Sequence, residues 1–352
     1  MPEDDATPRV TMQDVALRAG VSQSTVSLVL NGVPGVRIGK ETRQRVTDAA
    51  RDLGYRARRG GGHRRGQRHP FIGLIVDEIA TSPFAALSID GAQEAGWARG
   101  RLVLTAKTGG VAEVEAALAE AWRAQGAEGI VYATILTRRV VVPDAVRALP
   151  TVLLNCHADD PGLASVVPAE TVGGYAATEA LIAAGHRRIG FINGEPWMEA
   201  ARQRRQGYDQ ALATHDIPAD PALAREADFM ASGGYRETRA LLALDRPPTA
   251  IFCANDLMAV GSYEALKEAG LVVGRDVSVI GYDDQEIAKH LSPPLSTVLL
   301  PHGDMGRWAV DTLVGQIAGA GSSGAAGSAP ALQVKMPCPV VPRDSIGPGP
   351  AI

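Results

Sequence analysis

The stretch TMQDVALRAGVSQSTVSLVLNG, residues 11–32, continued by ETRQRVTDAARDLGY, residues 41–55, carries the punctuation of three short helices. Thr11 and Asp14 stand at capping-box spacing: the hydroxyl can accept from the amide three residues on, and the carboxylate lies in the positive first turn. A helix is expected from there, with Val15, Ala16 and Ala19 as its apolar stripe. Gly20 permits a left-handed turn, Val21 plugs the bend, and Ser22 can cap a second helix that carries Val26, Val29 and Leu30 inward. The offsets of Ala16, Gly20, Val26 and Val29 suit a helix-turn-helix, because a small residue lets the helices approach and glycine makes the sharp corner. Over 41–53, Val46, Ala49, Ala50 and Leu53 recur at helical spacing, with Gly54 as the stop. Residues 10–57 therefore read as an all-α domain, preceded by a disordered N-terminus, 1–9.

Charge separates this head from the rest. The chain has a formal net charge of −4, yet residues 9–69 hold thirteen Lys/Arg against four acids, a net of +9, and residues 70–352 carry −10. A basic head on an acidic body suggests that the head meets a polyanion and the body does not, the alternative being a solvated basic face. Between them RARRGGGHRRGQRHP, residues 56–70, interrupts any hydrophobic period with four glycines and six arginines. Residues 58–70 are read as a Gly/Arg linker.

After the linker, β-rich apolar runs (FIGLIV at 71–76, RLVLTA at 101–106, GIVYAT at 129–134, TVLLN at 151–155, RRIGFIN at 187–193, TAIFCAN at 249–255, DVSVIGYD at 276–283) alternate with amphipathic segments such as 111–124, 172–185, 199–213 and 256–269. That alternation predicts βαβ units and mainly parallel sheets. A weak repeat points to two similar lobes: Ile72-Gly73 followed by Gly91 returns as Ile189-Gly190 followed by Gly207. Two doubly wound lobes facing each other leave a cleft at the carboxyl ends of their strands, where ligands bind. The body is expected over 71–345, with a flexible loop at 319–330, a last strand near 332–336 and a C-terminal tail at 346–352.

Several classes are disfavoured by what the sequence lacks. At 352 residues, 45% hydrophobic and 21% charged, the chain is too long for one ordinary core and too apolar for disorder. No apolar run reaches the ~18 residues of a membrane span, and MPEDDATPRV is acidic where a secretory leader would be basic; a cytoplasmic protein with no membrane partner is expected. Cys156, Cys253 and Cys338 are far apart and odd in number, so neither a disulfide framework nor a zinc site is supported. No GxGxxG follows a strand, no phosphate loop is present, and no histidine lies close in sequence to activate Cys253. Neither an enzyme nor a cofactor is expected.

The string D-V-A-x-x-A-G-V-S-x-x-T-V-S-x-V-L-N-G from Asp14 to Gly32, with the third-helix segment, closely resembles the DNA-binding head of the LacI/GalR family of bacterial transcription regulators. The resemblance implies that the second helix lies in the major groove. It puts Gln23, Ser24 and Leu28 where members contact bases, and Ser22, Thr25, Ser27 and Asn31 among cap, core and phosphate positions. The chemistry agrees: Gln23 can pair bidentately with adenine, Ser24 can donate or accept, and Leu28 can touch a thymine methyl unless it packs inward. One departure concerns the linker. Family members follow Gly-Tyr with Pro-Asn and an Ala-Arg-x-Leu hinge helix, whereas here Ala57-Arg58 replaces Pro-Asn and Arg64 stands at the leucine position. Gly60, Gly61, Gly62 and Gly66 together oppose such a helix by about 3–4 kcal/mol. Arg58, Arg59, Arg64 and Arg65 are instead expected to form a basic arm on phosphates or in a narrow minor groove, the alternative being an inert spacer.

The body resembles the family's effector-binding core, which is similar to periplasmic sugar-binding proteins. The phrases that carry the resemblance are TVGGYAATEALIAAGHRRIGFING (171–194), RRQGYDQAL (204–212), AIFCANDLMAVGSYEALKEAG (250–270), DVSVIGYDDQEIAKHLSPPLSTV (276–298) and VVPRDS (340–345). It implies two lobes of periplasmic-binding-protein type I and effector contacts at Arg204, Asn255, Asp283 and Phe229, with Asp77, Phe84 and Asn155 as first-lobe candidates. Turn formation and capping are the alternative for Asn255 and Asp283, as core packing is for Phe229 and Phe84. Ala169-Glu170 stands where many members have Asp-Asn and is expected to alter an inter-lobe contact. The resemblance implies a ligand-responsive regulator, a repressor, which binds a palindromic double-stranded operator as a homodimer under control of a small molecule such as a sugar. A nucleobase-responsive regulator and a solute-binding receptor are the alternatives; the receptor requires export, against which the basic head and the acidic start both argue.

Overall fold

Thr11 and Asp14 close the capping box: the Asp14 amide donates to Thr11 Oγ1 at 3.3 Å and the Thr11 amide to Asp14 Oδ2 at 2.7 Å. These bonds start α1 (Met12–Ala19), and Gly20, at φ 62°, turns the chain into α2 (Gln23–Leu30). α3 (Lys40–Asp52) packs across both, with Val15, Val26 and Val46 fully buried at the centre. The computed structural model describes residues 10–30, 38–55, 69–78, 83–320 and 331–350. The chain divides into two units, residues 1–68 and 69–352. The expected disordered start at 1–9 and all but the last two residues of the 58–70 linker lie outside the described residues, as does 321–330 of the glycine-rich loop.

The second unit begins with β1 (Phe71–Val76), α4 (Pro83–Ala98), β2 (Leu102–Lys107), α5 (Ala112–Gln125), β3 (Gly129–Arg139), α6 (Asp144–Arg147), β4 (Thr151–His157) and β5 (Ala164–Pro168). The chain then crosses to α7 (Glu170–Ala183), β6 (Ile189–Asn193), α8 (Glu199–Thr214), β7 (Ala224–Glu226), α9 (Ala231–Leu242), β8 (Ala250–Cys253), α10 (Asp256–Glu268), β9 (Ser278–Ile280), α11 (Glu286–His290) and β10 (Thr297–Val298). It returns to the first lobe for α12 (His302–Ala320) and β11 (Gln333–Met336), then ends in the second with β12 (Val340–Val341). The first sheet has the order β11-β5-β4-β3-β1-β2 and the second β7-β6-β8-β9, all parallel, while β10 and β12 pair antiparallel. Both faces of the first sheet are covered: Ile72, Leu74 and Val76 pack under α4 and α12, and Ile75, Ile130 and Leu153 under α5. This is why these strands read as unbroken apolar runs.

The repeat seen in the sequence has a packing cause. A methyl at Gly91 would run into the Gly303 carbonyl of α12, and one at Gly207 into the Thr171 carbonyl of α7. Each lobe thus seats the helix after its first strand against a second helix at backbone contact. Three crossovers join the lobes and are stitched together: the Ala169 amide donates to the Met336 carbonyl at 2.8 Å and the Leu299 amide to Pro339 at 2.9 Å. The segment read as a C-terminal tail, 346–352, is docked on the second lobe through residue 349. The Gly347 amide donates to Ser278 Oγ at 3.0 Å and the Gly349 amide to the Ala184 carbonyl at 2.7 Å, which satisfies backbone groups at the end of α7 and beside β9. Among the described residues no helix is long and apolar enough to cross a membrane.

Candidate functional site

In the head, Ser22 caps α2 by accepting from the Thr25 amide at 3.2 Å, and its hydroxyl also meets Ser24 Oγ at 2.7 Å and Thr25 Oγ1 at 2.9 Å. Gln23 and Ser24 are exposed on the first turn of the helix, where a groove-reading side chain has to be. Leu28 and Ser27 are half-buried; Leu28 is not among the residues packed on the core, which Val26, Val29 and Leu30 occupy. Asn31, Arg58, Arg59, Arg64 and Arg65 lie outside the described residues.

In the body, a cavity of about 170 Å³ opens between the lobes at the carboxyl ends of their strands. Its wall includes Asn155, Arg204, Phe229, Asn255 and Asp283, so the structure brings together five of the seven body candidates. Asp77 lies elsewhere, in the outer part of the cleft. Phe84 lies in the first turn of α4, and its side chain is outside the described residues. Among the described residues, three of the five non-glycine residues with positive φ, Asn155 (57°), Phe229 (57°) and Asp283 (109°), border this one cavity. Such conformations cost about 1–3 kcal/mol each and persist where surrounding bonds over-determine them.

Those bonds are present. Asn155 gives both amide protons to the Thr134 and Ile135 carbonyls, at 2.9 and 2.8 Å, and accepts from Thr137 Oγ1 at 2.6 Å. Asn255 caps α10 by accepting from the Met258 amide at 2.8 Å and donates to the Phe229 carbonyl at 2.9 Å. Capping, the alternative weighed for Asn255, is therefore what its side chain does, and it holds Phe229 in place as well. The Phe229 ring lies against Gly194, where any side chain would collide with it. Asp256 fixes the Asp283 turn from below, accepting from Thr297 Oγ1 at 2.6 Å and from the Gln285 amide at 2.7 Å.

Arg204 occupies the floor. Its Nε and Nη2 donate to the two Glu170 oxygens at 2.8 and 2.9 Å, and its Nη1 donates to the Ala254 carbonyl at 2.5 Å. The guanidinium carbon lies 3.8 Å from the Tyr282 ring centre, and Asp283 Oδ1 is 3.6 Å from Nη1.

A model of the bacterial regulatory proteins of the lacI family matches residues 11–57, and a model of the periplasmic binding protein-like domain matches 178–346. The ribose operon repressor of Haemophilus influenzae is 34% identical over 87% of this chain and 92% of that protein. The chain belongs to the lacI family of bacterial regulatory proteins. A solved LacI-family regulator from Rhizobium etli superposes with a TM-score of 0.71 at 29% identity, covering 80% of this chain and all of that one. The lac repressor dimer bound to operator and the anti-inducer ONPF superposes at 0.62 and 27% identity, over 96% of this chain and 99% of that one.

Electrostatically the cleft of this LacI-family protein is acidic beneath one cation. Burial opposes the Arg204 charge, but the Glu170 carboxylate and then Asp283 outweigh it and hold the guanidinium protonated. Burial pushes the Asp283 carboxyl well above its ordinary range, against the pull of Arg204. Burial likewise raises Asp256 to about 7 and lowers His302 to about 4. Sequence reasoning missed Thr137, Met198 and Leu300 as cavity walls: Thr137 sits where the register of β3 against β4 shifts, and Met198 and Leu300 flank elements, none of which a period marks. Glu170 also borders the cavity, and its departure from the family's Asp-Asn was the signal for it.

Proposed function

We propose that this chain is a transcriptional repressor without catalytic activity, working in the cytoplasm, which binds an inverted-repeat operator as a homodimer and whose grip is set by a sugar in the inter-lobe cavity. Gln23, Ser24 and Leu28 read base edges from α2; Ser22, Thr25, Ser27 and Asn31 set the helix and touch phosphates; Arg58, Arg59, Arg64 and Arg65 add charge on the backbone. Two heads related by a twofold axis require a near-palindrome. The relatives support this: one is the repressor of a ribose operon, and the superposed lac repressor is a dimer on its operator.

The observation that carries the effector half of the reading is the convergence of Asn155, Phe229 and Asp283, all at positive φ, on one cavity floored by Arg204. Asp283 supplies a carboxyl oxygen as acceptor and Arg204 a donor, the pair that vicinal hydroxyls satisfy together, while Phe229 offers an apolar face. Asn155 and Asn255, whose amides are spent on the β3 backbone and on the Phe229 carbonyl, shape the cavity. The test is a binding-site selection with the full-length protein from random duplexes. An inverted repeat is expected, and an unstructured or single half-site consensus would reject the dimeric repressor.

A further inference from the structure

The cleft does not end at the inner cavity. Ile135 and Leu136 form a wall common to that cavity and to an outer chamber of about 590 Å³. The first lobe lines the outer chamber with Asp77, Glu78, Gly110, Leu136 and Arg138, and the second lobe contributes Trp197. Trp197 is 66% exposed, among the most exposed large apolar side chains of the described residues. An exposed indole keeps apolar area in water unless something covers it. Nor is its loop loose. Arg202 Nη1 donates to the Trp197 carbonyl at 2.5 Å and to the Pro196 carbonyl at 3.1 Å, tying the turn to α8. The opposite wall is equally set: Asp77 accepts from the Ile135 amide at 2.9 Å and from Arg138 Nη2 at 2.9 Å, and the other N–H groups of Arg138 make no hydrogen bond among the described residues.

We propose that this outer chamber is a second carbohydrate subsite, so that the effector is a sugar of at least two rings rather than one. The inference rests on the sugar reading of the inner cavity. The inner ring lies over Arg204 and Asp283; the second packs the apolar C–H face of its ring on the Trp197 indole. Its hydroxyls find an acceptor in the Glu78 carboxylate and donors in Arg138. Because Trp197 stands on one lobe and Arg138 and Glu78 on the other, a two-ring ligand bridges the mouth, and its length bears directly on closure.

The experiment is calorimetric titration of the full-length protein and of Trp197→Ala with common aldoses, the disaccharides built from them, and nucleosides. The Trp197 side chain supports no core, so the variant is expected to melt with wild type. The tightest disaccharide is expected to bind wild type at least about tenfold more tightly than its own monosaccharides, and in Trp197→Ala one- and two-ring sugars are expected to bind nearly alike. A monosaccharide that binds wild type with no gain from a second ring overturns the outer subsite and leaves the inner one standing, as does a disaccharide advantage that survives in Trp197→Ala. Nucleosides that depend on Trp197 while disaccharides do not would give the chamber to a base instead. Binding of no sugar of either size would overturn the sugar reading itself, and the subsite with it.

Discussion

Glu170 grips Arg204 end to end through two hydrogen bonds, at 2.8 and 2.9 Å, with both side chains at most 4% exposed. Glu170 opens α7 immediately after the first crossover, and Arg204 lies in α8, so the pair ties the strand that joins the lobes to the floor of the cleft. Three of the five guanidinium protons are consumed by Glu170 and the Ala254 carbonyl. Arg204 is as much a strut as a ligand-binding group.

Removing one partner of a buried pair strands a charge. Glu170→Ala is accordingly expected to destabilise the protein by about 3–5 kcal/mol in urea denaturation, and the Glu170→Leu/Arg204→Leu double variant by clearly less. A loss of under about 1 kcal/mol in Glu170→Ala would show that the pair is not isolated from water.

Asp283 keeps acceptor capacity for a ligand, its one side-chain hydrogen bond among the described residues coming from Gln285 Nε2 at 3.1 Å. Its φ of 109° makes alanine a poor probe, because the strain of an ordinary side chain there would be confused with loss of the carboxyl acceptor. Asp283→Asn keeps the shape. Effector affinity is expected to fall about tenfold or more, with operator affinity in the absence of effector unaltered. Calorimetry beside an operator titration separates the outcomes: lost operator binding would make Asp283 a structural residue of the turn.

In the head, Gln23→Ala is expected to cost about 1–3 kcal/mol at one symmetric pair of base positions and to relax the preference there. A panel of operators substituted at single positions reads this out. A uniform loss across all sequences would place Gln23 on the phosphates.

The helix-turn-helix was legible almost to the residue because its information is local: a cap three residues from its partner, a glycine at the corner, an apolar stripe at helical spacing. The two lobes were legible because strands covered on both faces read as unbroken apolar runs, and because Gly91 and Gly207 meet backbone in the same way. The chemistry of the cleft was less so. That Asn155 and Asn255 spend their amides on the backbone of β3 and of Phe229 depends on segments brought together from distant parts of the chain. Glu170 finds Arg204 34 residues on, and Asp77, just after β1, borders the outer chamber through bonds to Ile135 and Arg138, 58 and 61 residues away, that no motif encodes. Trp197 carries no period at all.

His302, at the second crossover, is held neutral in the fold by burial and by the nearby Arg204 charge, so that its pKa falls from 6.5 to about 4. In the unfolded chain it takes up a proton below about 6.5, whereas the fold admits one only near 4. Stability from this group is therefore complete above pH 6.5 and is lost as pH falls toward 4, by about 3 kcal/mol. Compared with His302→Gln, wild type should lose that much more stability across this window in urea titrations at stepped pH. A difference independent of pH would mean that His302 is solvated in the native state.

The central claim is that one small molecule in the cleft and one operator on the head are linked. It is tested most directly by titrating the full-length protein onto its selected operator, by fluorescence anisotropy at fixed salt, without and with a saturating concentration of the sugar that binds the cleft most tightly. The operator dissociation constant is predicted to shift by about 5–150-fold, and the sugar's own dissociation constant to shift by the same factor when operator is present. Identical operator affinity with the cleft empty and filled would contradict the account, since a ligand bound equally by both states shifts nothing.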